Sequence, residues 1–372
     1  MATISLKNLT FSHPSQAAIR GVTLEIPDRV FAILTGPRGG GQSAILRLLA
    51  GLESAPSGEI LLGDKKVNEL GPSARDVAIV FADDALYPKM SIRQNIAFGL
   101  RQRKFSQTEI TRRVEDAAGA LGIAELLEKR PAEISLVERQ RAALARAIAR
   151  QSKVLLLDEP LRNLDAASRA QLRAELRKLH ERLETTIVYG TSDATEAMAL
   201  GEHVVILQDG RVAQEGTLTT VYEAPADLFV AGFLGEPPMN FVHGTLKLER
   251  DALLFRETGE GTIEARLALA ERPAAAEFAG KAVVLGVRPE DLEIVSTVNG
   301  QEPPNSFPAL VDFIEAVGME RTFHLQTGAH AIVARARGGS EEQPSGRRVR
   351  ARFEERKVHL FDPESTRRIA GF

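Results

Sequence analysis

The 372-residue chain contains no cysteine. That excludes disulfides, thiolate metal centres and cysteine nucleophiles, and it fits a reducing compartment. A marked excess of either charge is also missing. The net charge is -3 and the isoelectric point about 6.2, so nothing in the bulk charge favours nucleic acid as a partner. Local basic clusters such as Arg347-Arg348-Val349-Arg350 read as solvated faces. The opening residues Met1 to Lys7 lack the charged start and apolar core of a signal peptide. No apolar run approaches the ~20 residues that cross a bilayer, so a membrane role is expected only through a partner. Repeats of solenoid period and low-complexity tracts are absent as well.

What is present is an ordinary globular composition, 44% hydrophobic and 26% charged, in a chain long enough for two or three domains. Ile4 to Leu9 and Ile19 to Ile26 alternate, with Val22, Leu24 and Ile26 on one face, as strands with one buried side do. Val30 to Leu34, Val77 to Phe81, Val154 to Leu157, Thr186 to Tyr189 and Val204 to Leu207 are continuously apolar. Such runs suit a parallel sheet covered on both faces. Helical patterns at Ala44 to Ala50, Ser135 to Arg150 and Ala166 to Leu183 lie between them, so the first part reads as α/β. A helical insert is expected over about residues 88–150, and Asp209-Gly210 signals a hairpin. Gly235-Glu236-Pro237-Pro238 marks the expected boundary between domains 1–235 and 236–372. The second domain reads as mostly β and barrel-like: short strand patterns at 281–287, 309–314 and 331–334 are separated by turn-rich stretches at 299–308 and 338–346.

The chemistry starts at "GPRGGGQSA", residues 36–44, between an apolar strand and a helix. It is the phosphate-binding pattern G-x-x-x-x-G-K-[ST] with Gln42 in the lysine's place. Gly36, Gly39, Gly40 and Gly41 let successive backbone N–H groups converge on phosphate oxygens, and Ser43 offers a hydroxyl to magnesium. Alone, the stretch fits a nucleotide site and a tight glycine turn equally well. The second element is "VLLLDEP", whose strand ends in two carboxylates. Asp158 can hold magnesium through water, and Glu159 can act as general base on an attacking water. The two elements in one α/β domain favour the nucleotide site.

The stretches "LRLLAGLESAPSGEI", "ALYPKMSIRQNIAFGL", "RQRAALARAIAR", "VLLLDEPLRNLDAASR", "EAMALG" and "FVAGFLGEPPMNF" extend the pattern along the chain. With them the chain resembles the ATP-binding subunit of an ATP-binding cassette (ABC) importer, of the type serving maltose, glycerol-phosphate and related solutes. "LGVRPEDLEI" and "VHLFDPES" resemble the family's appended β domain. The resemblance implies a P-loop ABC ATPase domain with a helical insert, followed by an OB/TOBE-type β domain. ATP and magnesium are the implied ligands, and the implied place is the cytoplasm, at the inner face of the cell membrane. A second ATPase subunit and transmembrane permease subunits are the implied partners. Permease contact falls on the region Leu86 to Ile96, although Leu86, Tyr87, Met90 and Ile96 can equally be core of the insert. His13 stands roughly where relatives stack an aromatic on adenine, and Asp165 retains the loop aspartate that follows the two carboxylates.

Against the family pattern, several positions depart. Gln42 replaces a lysine that places charge on the outer phosphates, and Ala44 replaces a threonine. Arg38 is an unusual neighbour, either a substitute cation or a solvated loop arginine. Ala82 replaces a glutamine that contacts magnesium and the attacking water, beside the added charges of Asp83 and Asp84. Ser192 replaces a histidine that contacts the terminal phosphate. The signature L-S-G-G-Q, which grips the nucleotide of the opposite subunit, has become Ile134-Ser135-Leu136-Val137-Glu138. Ser135 and Glu138 form the pattern S-x-x-E, so they are expected to cap their own helix.

Losses at Gln42, Ala82 and Ser192 affect the half-site this chain supplies to itself, and losses at Leu136, Val137 and Glu138 the half-site it supplies to a partner. The expectation is a degenerate subunit that pairs with another ATPase subunit, binds ATP weakly and hydrolyses little. Two readings stand beside it: a working ATPase with compensated motifs, and a non-hydrolytic regulatory or scaffold protein.

Overall fold

Apolar strands without alternation build the sheet that positions the site. The computed structural model describes residues 3–13, 16–295, 303–337 and 346–369, with the side chains of 13, 16, 17 and 337 excepted. β1 (Ile4–His13) and β2 (Gln16–Ile26) pair antiparallel and lead into β3 (Phe31–Thr35), which is buried along its whole length. After β3 come α1 (Gln42–Ala50), β4 (Ser57–Leu62), β5 (Lys65–Lys66) and β6 (Val77–Val80). The helical insert follows as α2 (Ile92–Gln102), α3 (Gln107–Ala120) and α4 (Leu136–Ile148). The chain then returns to the sheet through β7 (Val154–Asp158), α5 (Ala166–Arg182), β8 (Thr186–Thr191), α6 (Ala194–Leu200), β9 (His203–Gln208) and β10 (Arg211–Thr217).

One sheet runs β10-β9-β3-β8-β7-β6, with β10 antiparallel to β9 across the expected Asp209-Gly210 hairpin and the other neighbours parallel. The other runs β2-β1-β4-β5. Between them α1 contributes Ile45, Leu46, Leu48 and Leu49 to a core shared with Ile4, Leu6, Leu156 and Val188. Each such side chain contributes roughly 1.5–3 kcal/mol by leaving water. α1 ends at Gly51, φ 74, and its last carbonyls are held by Arg75. Arg75 is 5% exposed, and its guanidinium donates to Leu48 O at 2.6 Å, Leu49 O at 3.2 Å, Leu70 O at 2.6 Å and Asn68 O at 3.3 Å.

The chain divides into two compact units between Val221 and Tyr222. Two short helices, α7 (Leu218–Glu223) and α8 (Leu228–Phe233), accompany the transition. Beyond them the second unit is antiparallel: β11 (Asn240–Glu249), β12 (Ala252–Glu257), β13 (Glu264–Ala268), β14 (Ala282–Val287), β15 (Leu292–Val295), β16 (Ser306–Val317), β17 (Glu320–Gln326), β18 (Ala331–Arg337), β19 (Arg348–Phe353) and β20 (His359–Phe361). They form two sheets, β13-β12-β11-β14-β20 and β15-β19-β16-β17-β18, around one core that includes Phe255, Leu285, Phe307 and Phe353. Of the two expected turn-rich stretches, 299–308 is described only from residue 303 and becomes strand at Ser306, and 338–346 lies outside the described residues except Gly346.

Candidate functional site

In an open parallel sheet the carboxyl ends of the strands face a common crevice. Here the phosphate loop follows β3, Asp158 closes β7 and Ser192 follows β8. A cavity of about 520 Å³ opens at these ends, lined by Arg38, Gly39, Gly41, Gln42, Ser43, Ala44, Arg47, Ala82, Asp158, Glu159 and Arg162. The loop, the two carboxylates and the position that departs at Ala82 therefore meet in one place.

The loop keeps a backbone suited to phosphate. Gly36 passes so close to Leu207 that a Cβ would sit 2.1 Å from its carbonyl oxygen, and Gly41 caps α1 with φ 114. No side chain bonds the first turn of α1, so its N–H groups and the positive helix end remain available to an anion. Gln42 does not supply what lysine would. Its side chain is 7% exposed and its Nε2 donates back to Pro37 O at 3.3 Å. Arg38 is exposed at the cavity rim.

Opposite the loop, Ser43 Oγ donates to Asp158 Oδ1 at 2.7 Å. Burial pushes the Asp158 carboxyl up, an effect the Ser43 bond opposes and the neighbouring Glu159 adds to. A hydroxyl and a carboxylate are hard oxygen donors, and magnesium takes about two protein ligands while keeping water. The pair fits that ion, and bound magnesium would neutralise charge on the outer phosphates. Among the described residues there is no group of three or more His, Asp or Glu side chains arranged as a self-sufficient metal centre.

Glu159 is held from several sides. Its backbone sits at φ 44, a region non-glycine residues rarely adopt, while its N–H donates to Gly190 O at 2.9 Å. Ser192 Oγ donates to Oε1 at 3.2 Å, and Arg162 Nη1 lies 3.2 Å from Oε2. A buried polar group lies beside Ser192 in sequence. Tyr189 and Thr191 hydroxyls donate to Glu196 Oε2 at 2.7 and 2.8 Å, and burial raises the Glu196 carboxyl.

The signature region lies apart from this cavity. Ser135 caps α4 by accepting from Glu138 N–H at 3.3 Å, and Glu138 Oε2 accepts from Ser135 N–H at 2.7 Å and its hydroxyl at 2.8 Å. The Ser135 backbone bond leads the effects that hold the Glu138 carboxyl below its usual range. Leu136 is 38% exposed at this helix end. Asp165 also sits outside the cavity, as the cap of α5, accepting from Ser168 N–H at 3.0 Å and Ser168 Oγ at 2.6 Å. Asp83 and Asp84 do not line the cavity either, and Asp84 is engaged by Leu86 N–H and Arg139. The His13 side chain lies outside the described residues.

In the stretch from Leu86 to Ile96 the residues separate by role. Leu86 and Ile96 are buried, Met90 is half-buried, and Tyr87 is 41% exposed against Phe98. Buried Asn95 shapes the loop, accepting from Tyr87 N–H at 2.7 Å and donating to the carbonyls of Tyr87, Met90 and Ser91. Two residues of the cavity were not anticipated from the sequence, Arg47 and Arg162. Spacing gave a signal for the second, three residues beyond Glu159 in a turn. A larger cavity, about 820 Å³, lies in the second unit, where Arg272, Arg288, Arg368 and Lys357 are offset by Glu271, Glu290 and Asp291.

The ABC transporter family profile matches residues 19–162, the MalK OB fold domain residues 235–292 and the TOBE domain residues 285–361. The chain is 40% identical over 387 residues to the sn-glycerol-3-phosphate import ATP-binding protein UgpC of Bordetella avium, covering 100% of both chains. It is 39% identical over 371 residues to the oligosaccharides import ATP-binding protein MsmX of Bacillus subtilis, covering 99% of this chain and 100% of that one. Among solved structures, cbiO1 of Clostridium perfringens, part of the ABC transporter complex cbiONQ, aligns with TM-score 0.54 and 25% identity over 59% of this chain and 90% of its own. The dimeric ATP-binding cassette MJ0796 bound to ADP and Pi aligns with TM-score 0.52 and 27% identity, over 58% of this chain and 98% of its own. Full-length likeness of this strength, with the phosphate loop and paired carboxylates gathered at the strand ends, places the chain in the family of ABC transporter ATP-binding proteins whose ATPase domain is followed by MalK OB-fold and TOBE domains.

Proposed function

We propose that the chain is a degenerate ATP-binding subunit of an importer for a carbohydrate or related solute. It docks on permease subunits through the region of Leu86 to Ile96, at the cytoplasmic face of the membrane, and pairs with a second ATPase subunit. It binds MgATP weakly and hydrolyses it slowly or not at all. The import of sn-glycerol-3-phosphate and oligosaccharides by the relatives supports the solute class. Among the described residues no helix is long and apolar enough to cross a membrane.

The observation that carries the weak-turnover reading is the behaviour of two side chains. Gln42 bonds its own loop, and Glu138 occupies the helix end that relatives offer to a neighbour's nucleotide. Replacing a charged partner of phosphate by a neutral one costs about 1.5–3 kcal/mol. The test is to purify the chain alone and as Gln42→Lys, and to measure MgATP binding and steady-state turnover. Tighter binding in the variant with low turnover in both is expected. Turnover by the unmodified chain at the rate of an intact ABC ATPase overturns the reading. The compensated-ATPase reading draws support from the arginines at the cavity, and fast turnover would select it. A scaffold role is selected instead if permease subunits fail to co-purify with the chain.

A further inference from the structure

The cavity's charge does not come from the lysine position of its loop. Gln42 is neutral and turned onto Pro37 O, so the cations lining the space are Arg38, Arg47 and Arg162, facing Asp158 and Glu159. Each arginine has a distinct address. Arg38 lies on the loop itself, exposed beside Gly39. Arg47 belongs to α1, and its guanidinium rests 5.6 Å from the centre of the Phe81 ring. Arg162 stands across the cavity with Nη1 3.2 Å from Glu159 Oε2.

That last address is informative. Ser43 and Asp158 mark where a metal meets the outer phosphates, and Glu159, the next residue, marks the side from which water approaches. A cation already seated on Glu159 is therefore at the terminal-phosphate end, away from the inner phosphates that the loop's backbone cradles. Its present partner holds it loosely. The Arg162 side chain is 54% exposed, and an ion pair so exposed contributes little. A phosphate carries more charge than a carboxylate and accepts a forked guanidinium bond well, so exchange from Glu159 to phosphate is downhill.

We infer that Arg162 is the cationic ligand of the nucleotide's terminal phosphate in this chain, taking over the charge that Gln42 cannot supply. In the structure the same guanidinium pairs with Glu159 Oε2 and, together with Ser192 on Oε1, engages both oxygens of that carboxylate. The inference rests on the reading that the cavity takes a nucleoside triphosphate. It assigns the residue that distinguishes triphosphate from diphosphate.

The test is calorimetric titration of the full-length chain with magnesium and either ADP or the non-hydrolysable β,γ-imido analogue of ATP. Arg162→Ala is expected to weaken the triphosphate analogue by roughly tenfold to a hundredfold, the loss of a hydrogen bond to a charged group. ADP is expected to change by less than about threefold. Arg162→Lys should keep most of the preference. Thermal melting checks that each variant is folded. Equal weakening of both nucleotides by Arg162→Ala, or no weakening of either, overturns the assignment of Arg162 while leaving the nucleotide site standing. Failure of the unmodified chain to bind either nucleotide overturns the reading of the site itself, and this inference with it.

Discussion

Ser43 Oγ donates a 2.7 Å hydrogen bond to Asp158 Oδ1, joining the first turn of α1 to the end of β7 across 115 residues of chain. The hydroxyl spends its hydrogen on the carboxylate and keeps its oxygen lone pairs for a metal ion. Burial raises the Asp158 carboxyl, so the folded chain holds this proton more readily than the unfolded chain does. Stability from this group is full below the ordinary carboxylate range and is lost as pH rises through the elevated folded value. Asp158→Asn is therefore expected to melt at a higher temperature than the unmodified chain at pH 7.5 without magnesium. Nucleotide affinity in the variant should no longer respond to magnesium. Equal melting temperatures, or a retained magnesium response, count against the arrangement described.

The cap of α4 is local and has a local cost. Ser135→Ala removes the acceptor for Glu138 N–H and the donor to its carboxylate. A loss of about 0.5–2 kcal/mol in urea unfolding is expected, the usual range for such caps. The nucleotide affinity of the isolated chain should not change, because Ser135 is not among the residues that line its cavity. A change in affinity without a change in stability would contradict this separation.

Much of the above was legible in the sequence. The buried parallel strands announced themselves, because an unbroken apolar run such as Phe31 to Leu34 in β3 is hard to satisfy anywhere else. The reciprocal cap at Ser135 and Glu138 was legible because all its partners lie within one helical turn. What was not legible depends on distant chain. The residues around Gln42 do not by themselves say that its amide turns to Pro37 O, in a loop whose Gly36 and Gly41 pack closely against Leu207 and Ile19 from distant parts of the chain. Arg47 and Arg162 look like surface arginines until the strand ends bring their elements to one cavity. β4 also escaped notice: Ser57–Leu62 mixes exposed and half-buried positions, and it becomes strand by pairing with β1.

Arg75 offers a test of the core beneath the phosphate loop. It is buried, no carboxylate among the described residues lies in hydrogen-bonding range, and its charge is satisfied by four backbone carbonyls at the end of α1 and the segment after β5. Burial lowers its proton affinity, yet arginine stays charged across the accessible range. Arg75→Met leaves those carbonyls unpaired and is expected to destabilise by about 3 kcal/mol or more, at about 1–3 kcal/mol for each group left buried without a donor. Arg75→Lys should recover only part, because one ammonium cannot reach all four. Denaturant unfolding measures both, and a Lys variant as stable as the unmodified chain would show that the fork geometry is dispensable.

His359 sets an acid limit for the second unit. Burial, then the positive charges of Arg368, Arg288, Arg272 and Lys357, depress its proton affinity from 6.5 to about 4. Above pH 6.5 the ring is neutral folded or unfolded and contributes no pH dependence. Between 6.5 and 4 the unfolded chain takes up a proton that the folded chain refuses, so stability falls as pH falls, by about 2 kcal/mol at pH 5. Urea unfolding of the second unit at pH 7.5 and pH 5 should show that loss, and His359→Gln should remove it. An identical pH response in the variant would assign the acid limit to other groups.

The capped end of α4 has one more consequence. With the N–H groups of Ser135 and Glu138 already matched, this helix end has less to offer a phosphate, and its carboxylate makes such an approach repulsive. If the chain pairs as proposed, contact through this face is expected to respond little to nucleotide. Such a complex would have one joint that opens and closes with nucleotide, built on the phosphate loop, and a second that stays as assembled.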